Sequence, residues 1–224
     1  MSRSVKKFDA TLLETRNKSP GWVETEGSVL ANPRIGVHLI RVLMMNDDNP
    51  LYDTVLRVER GGGVFVPVDE RGRIGLLQVW RPQTRDQTQY AASFPALDME
   101  GLGRISFEIP RGMGEPGESG AHAAKREAEE ETGGRVVELH DIGPICDNTT
   151  FCPHLTEVAW GRINISAASA SPDAAEGIVG GLCFFTHAEL AVLQREGKLY
   201  DGFTLAALAL LWIQNPELLM EAKR

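Results

Sequence analysis

Gly112 to Gly134 reads G-M-G-E-P-G-E-S-G-A-H-A-A-K-R-E-A-E-E-E-T-G-G. Four glycines and a proline between Gly112 and Gly120 make the first half a loop with several positions free to take positive φ. Ala121 to Thr132 is built mostly from Ala, Glu, Lys and Arg, strong helix formers, and Gly133-Gly134 stops the helix. At helical spacing Glu127, Glu130 and Glu131 fall within about 100° of one another, beside a small apolar stripe of Ala121, Ala124 and Ala128 suited to close packing on a sheet. Arg126 stands one turn before Glu130 and can reach back to Glu118 in the loop. Three carboxylates on one face repel each other. An oxygen-only cluster of this kind suits a hard ion, Mg²⁺ or Mn²⁺. Without the loop, the same pattern would read as a solvated acidic face.

The loop decides between the two. Gly112, Glu118, Arg126, Glu127, Glu130, Glu131 and Gly133 stand at the seven fixed positions of G-x5-E-x7-R-E-U-x-E-E-x-G-U, so the stretch resembles the signature of the Nudix hydrolases. At average usage of about 7% per residue type, chance supplies such a match in about one chain in 10⁵ or fewer. Two packing positions depart from it. Ala128 stands where a larger aliphatic is usual, and Gly134 where an aliphatic is expected. The resemblance implies a mixed β-sheet sandwiched between helices, an α/β/α fold.

Composition bounds the function around that stretch. The chain has 224 residues, 42% hydrophobic and 24% charged, ordinary values for a folded globular protein with one substantial core. A net charge of −8 with no basic stripe argues against a nucleic-acid backbone as partner. It does not argue against a nucleotide, because a bound metal inverts the local field. Cys146, Cys152 and Cys183 are odd in number and lack C-x-x-C spacing, which suggests neither a disulfide framework nor zinc and fits a reduced, cytoplasmic setting. Met1 to Asp9 lacks the apolar core of a signal peptide, and the most apolar run, Phe203 to Ile213, is too short to span a bilayer.

Taken in order, the first 35 residues are polar and punctuated by Pro and Gly. Strand patterns follow at Gly36–Met45 and Tyr52–Val58, and residues 1–58 are expected to form a small N-terminal antiparallel element ahead of a catalytic domain at 59–224. Val64–Val68 and Ile74–Trp80 flank a polar turn and predict a hairpin. Residues 83–103 lack periodicity and read as a long loop, and Arg104–Pro110 as a strand feeding Gly112. Beyond the helix, strands are expected at Arg135–Ile142, Leu155–Ile165 and Leu182–Phe185, with a polar loop at Cys146–His154 and a flexible one at Ala167–Gly181. Helices at His187–Arg195 and Phe203–Gln214 close the chain.

A second resemblance covers about residues 55 to 215. Val58-Glu59-Arg60, Gln78-Val79-Trp80-Arg81-Pro82 and Phe107-Glu108-Ile109-Pro110-Arg111-Gly112 look like the ADP-ribose pyrophosphatase branch. So does the ending, F-F-T-H-A-E-L at Phe184–Leu190, then G-K-L-Y-D-G-F-T-L-A-A-L at Gly197–Leu208. Arg111 stands where Ala is usual, the 83–103 loop is longer, and Asn148-Thr149-Thr150-Phe151 replaces the usual S-P-G loop.

The resemblance implies an Mg²⁺- or Mn²⁺-dependent hydrolase of a nucleoside diphosphate linked to another group, ADP-ribose or an ADP-sugar being favoured. Glu127 and Glu131 would ligate metal with Glu130 and the carbonyl of Arg111, leaving the Arg111 side chain free. Glu118 and Arg126 would form an ion pair holding loop to helix. Arg60 and Arg81 match positions that hold the substrate's phosphates or sugar, and Glu108 would orient water or substrate. Glu176, with Asp173 beside it, is the expected base on a mobile loop, and a homodimer built through the N-terminal element is also implied. His122 and His154, with no second His or Cys at ligand spacing, read as structural or exposed. Trp22 and Trp80 could stack on an adenine, though half-buried core aromatics are the commoner case. Against the enzyme stands a Nudix module that only senses a nucleotide, or a hydrolase of dinucleotides or nucleoside triphosphates. Retention of all three glutamates favours the enzyme.

Overall fold

A computed structural model describes residues 23–25, 28–32, 36–46, 49–80, 105–165 and 177–218. Trp22, Arg81, Asp173, Glu176 and the whole of the 83–103 loop lie outside the described residues. The backbone divides into two compact units, one of Met1–Gly61 with Cys146–Leu155, the other of Gly62–Ile145 with Thr156–Arg224.

In the first unit β1 (Val23–Thr25), β2 (Ser28–Asn32), β3 (Val37–Asn46) and β4 (Asn49–Val58) form an antiparallel sheet in chain order. The β3–β4 ladder runs from His38↔Val58 to Asn46↔Asn49 and pairs the two stretches that carry strand patterns. β1 and β2 lie within the first 35 residues, where the sequence shows no strand pattern of its own. Their strands are three and five residues long, too short to show periodicity. The Cys146–Leu155 segment joins this unit through the Arg57 amide, which donates to the Phe151 carbonyl at 2.7 Å. Asn148 shapes that segment: its side-chain oxygen accepts from the Thr150 and Phe151 amides.

The second unit begins with β5 (Gly62–Pro67), every residue of which is buried. Its side chains alternate between two cores. Phe65 enters a cluster with Ala124, Ala128, Val136 and Ala159. Val64 and Val66 enter a larger one with Ile74, Leu76, Val158, Leu190, Leu208 and Leu211. This strand therefore has apolar company on both faces, as in a sheet covered by helices on each side.

Around it run β6 (Ile74–Trp80), β7 (Ile105–Glu108), β8 (Arg111–Met113), helix α1 (Gly120–Thr132), β9 (Arg135–Val136) and β10 (His140–Ile145). β11 (Thr156–Gly161), β12 (Ile163–Asn164), β13 (Ile178–Phe185), α2 (His187–Arg195) and α3 (Gly202–Gln214) complete the unit. Sheet order is β10-β11-β5-β8, parallel between β11 and β5, with a second, antiparallel sheet β13-β6-β7 and a short β12-β9 pair. The fold is α/β with mixed sheets. α1 lies on the Phe65 side, while α2 and α3 supply Leu190, Leu193, Ala207, Leu208 and Leu211 to the larger core.

The expected hairpin at 64–80 is only a turn. Asp69 tightens the turn by accepting from the Arg71 and Arg73 amides, but β5 and β6 share a single bridge, Val68↔Ile74, and then part into different sheets. Each finds longer partners elsewhere, β5 on β11 and β6 on β13 and β7. Two expected long strands are broken as well. Arg135–Ile142 divides into β9 and β10, and Leu155–Ile165 into β11 and β12, which are separated by Arg162. Residues 178–181, read as part of a flexible loop, belong to β13.

Candidate active site

Helix α1 is seated by the absence of side chains. A Cβ on Gly63 would collide with the Ala124 backbone and the Gly120 carbonyl, so the helix lies directly against β5. Ala123, Ala124 and Ala128 are fully buried, whereas Ala121 is only half-buried. Ala128 is thus the size its place allows, beside Phe65 and Ala159. Gly134 has a similar account: a Cβ there would stand 3.0 Å from Ile163 Cγ1 and Ile165 Cδ1, which fill the space of the missing aliphatic. Ser119 caps the helix by accepting from the His122 amide, and His122 turns its ring to the same hydroxyl. Gly133 ends the helix at φ 68°, a left-handed backbone that favours glycine.

Arg126 is the electrostatic hub. It donates to Glu118 through Nε (3.2 Å) and Nη2 (3.0 Å), to Glu127 Oε1 (2.8 Å), to Glu130 Oε2 (3.0 Å) and to the Met113 carbonyl (2.9 Å). The expected Glu118–Arg126 pair is present and holds loop to helix. Its guanidinium, helped by the Glu115 amide, keeps the Glu118 carboxyl below its ordinary range, and Glu118 and then Glu127 hold Arg126 more firmly charged. Glu127 is 8% exposed and its carboxylate lies over Gly112, where any Cβ would fall on it. Glu130 is largely exposed. Glu131 accepts from the Arg111 amide at 3.0 Å.

The Arg111 side chain is not free, contrary to expectation. Its Nη2 donates to Glu108 (3.3 Å) and Asp201 (3.2 Å), and its guanidinium carbon lies 4.8 Å from the centre of the Phe203 ring. Glu108 is nearly buried, and a buried carboxylate needs such company. Arg111 therefore ties β7 to the start of α3, where Asp201 also caps the helix through the Thr204 amide. Arg60 belongs to the first unit and is exposed, with its guanidinium beside Gly36. Trp80 is exposed, not a core aromatic.

Residues 59–200 match the family model of the NUDIX domain, well over half of the chain. The chain belongs to the Nudix family. It is a Nudix hydrolase, and its helix α1 is the Nudix helix. The fold is shared with a solved "ADP compounds hydrolase", at a TM-score of 0.55 and 16% identity, covering 81% of this chain and 86% of that one. No curated protein matches the sequence. The donor chemistry fits the divalent cation that Nudix chemistry uses, since Glu127, Glu130 and Glu131 offer carboxylate oxygens only, and the bare Gly112 backbone is the cradle against which Glu127 packs. The three carboxylates are not gathered within 4.8 Å of one another here: Arg126 holds those of Glu127 and Glu130, and the Arg111 amide holds Glu131.

A second group of ligating side chains escaped the sequence reading. Glu59, Cys152 and His154 each offer one donor atom within 4.8 Å of the other two. Cys152 and His154 are separated by one proline, which corrects the reading of His154 as a histidine with no Cys or His near enough to share a ligand. Glu59 is distant in sequence, and only the docking of 146–155 beside β4 brings it near.

Proposed function

We propose that the chain hydrolyses the pyrophosphate linkage of a nucleoside diphosphate joined to another moiety, with ADP-ribose or an ADP-sugar favoured. The observation that carries this is the seating of α1: Glu127 packed on Gly112, Glu131 on the Arg111 amide and Glu130 exposed beside them. The shared fold with a solved ADP compounds hydrolase is in keeping with an ADP-linked substrate. In the reaction a water oxygen bonds to one phosphorus in line as the bridging P–O bond breaks, and each product keeps one phosphate.

Glu127, Glu130, Glu131 and the Arg111 carbonyl would hold Mg²⁺ or Mn²⁺, which when bound supplies charge neutralisation and an activated water. Arg126 fixes the rotamers of Glu127 and Glu130 and keeps the Gly112–Gly120 loop on the helix. Glu108 and Asp201 anchor Arg111, whose amide orients Glu131. Arg60 and Arg81 are assigned to the substrate's phosphates or sugar, and Glu176 to the base. The proposal extends to a homodimer through the N-terminal element and to a reduced, cytoplasmic setting, in which the free thiols of Cys146, Cys152 and Cys183 persist.

Phosphatase-coupled phosphate release across ADP-ribose, ADP-glucose, NADH, a diadenosine polyphosphate and the common triphosphates, with Mg²⁺ and with Mn²⁺, tests the reading. Preferential turnover of an ADP-linked compound supports it. Preference for a triphosphate or dinucleotide replaces the substrate class. No turnover, with calorimetric nucleotide binding intact, leaves a sensor. Light scattering of the full chain tests the dimer, and a monomer mass would remove that part.

A further inference from the structure

We propose that Glu59, Cys152 and His154 form a second metal site, for Zn²⁺ or a similar borderline-soft transition ion, separate from the acidic helix. All three belong to the first compact unit. Cys152 Sγ lies 3.2 Å from His154 Nδ1, and Glu59 Oε1 lies 3.1 Å from the other ring nitrogen, Nε2, so only one of these two contacts is a donor spacing around a single ion. A tetrahedral zinc with bonds of about 2.0–2.3 Å spaces its donors by about 3.3–3.7 Å. The trio, each donor within 4.8 Å of the others, lies within about an ångström of that arrangement.

The chemistry of the donors sets the choice of ion. A thiolate, an imidazole and a carboxylate favour zinc, cobalt or nickel over magnesium, whose preference is for oxygen. The site is also sheltered. Cys152 is 2% exposed, and the His154 and Glu59 side chains keep only 15% and 9%. Three protein ligands leave a fourth position for water. Arg57 pairs with Glu59 and would hold its carboxylate in place.

The same connectivity, thiol to imidazole to carboxylate, is that of a nucleophilic triad, but the thiol is wrong for it. Burial, with Glu59 adding to it, pushes the Cys152 thiol up to about 11, so it stays protonated near neutrality. A bound cation reverses this, because coordination displaces the thiol proton to solvent and leaves a thiolate ligand. The ion would clamp the end of β4 to the 146–155 segment, taking one nitrogen of His154.

Cobalt reports a thiolate ligand directly. The full chain is titrated with Co²⁺ alone and then with Zn²⁺ in competition, reading the near-ultraviolet thiolate-to-cobalt charge-transfer band. We expect the band to saturate at one ion per chain, to be bleached by Zn²⁺, and to persist in Glu131→Gln, whose carboxylate belongs to the acidic helix and not to this trio. It should vanish in Cys152→Ser, and His154→Ala should weaken cobalt binding at least tenfold. No band in the wild type overturns the proposal and leaves a hydrogen-bonded trio. So does a band that survives Cys152→Ser, since the thiolate would then be Cys146 or Cys183. The wild-type titration decides even if a variant fails to fold.

Discussion

At the scale of single residues, the site depends on what is missing from Gly112 as much as on what its glutamates add. A methyl group there occupies the place of the Glu127 carboxylate. Gly112→Ala should cut kcat/KM at least about tenfold, comparable with loss of a supporting residue in a metal site, at little cost in melting temperature. A melting temperature that falls in step with activity would make Gly112 a folding residue instead. His187 carries a different liability. Both ring nitrogens are buried without a hydrogen-bond partner among the described residues, the ring lies 4.8 Å from Trp212, and burial lowers its pKa. The unfolded chain takes up this proton near the ordinary value of about 6.5 while the folded one resists. The His187 contribution is therefore complete above that value and lost as pH falls from it toward the lowered folded value. Urea midpoints at about pH 7.5 and about pH 5.5 should converge in His187→Phe relative to wild type. An unchanged difference would show that other groups set the acid sensitivity.

At the scale of elements, α1 was the most legible part of the sequence, because its signals are local: glycines before and after, helix formers between, and carboxylates at helical spacing. The structure starts it one residue earlier and ends it as read, at Thr132. The ends of α2 were equally legible, since Thr186 and Glu189 make a capping box and β13 ends at Phe185. The 64–80 hairpin was misread because two adjacent strands with a good turn say nothing about the longer ladders each makes elsewhere. Arg111 was misread for a related reason. Asp201 and Phe203, its partners, lie far along the chain. The contact between β5 and α1 is itself testable. Gly63→Ala must push Ala124 or Gly120 aside, and overpacking of this kind costs about 1–3 kcal/mol or more. Denaturant unfolding should show that loss together with lower activity, and a neutral result would mean the helix shifts freely on its strand.

For the whole molecule, the sequence announced a mixed α/β domain behind an N-terminal element at 1–58, but not where the loop that follows β10 belongs. The Cys146–Leu155 loop, read as a connection inside the catalytic domain, is grouped with the N-terminal strands. That grouping is what gathers Glu59, Cys152 and His154, a cluster no local pattern could reveal. Among the described residues no helix is long and apolar enough to cross a membrane. The acidic helix remains the centre of the functional account, and its role in hydrolysis is open to one direct measurement. Turnover of ADP-ribose with Mg²⁺ is compared between wild type and Glu131→Gln, with melting curves taken in parallel. The account predicts turnover by the wild type and a loss of at least about a hundred-fold in the variant, beyond the 10–100-fold typical of a supporting residue, at an unchanged melting temperature. Turnover undiminished in Glu131→Gln would contradict it.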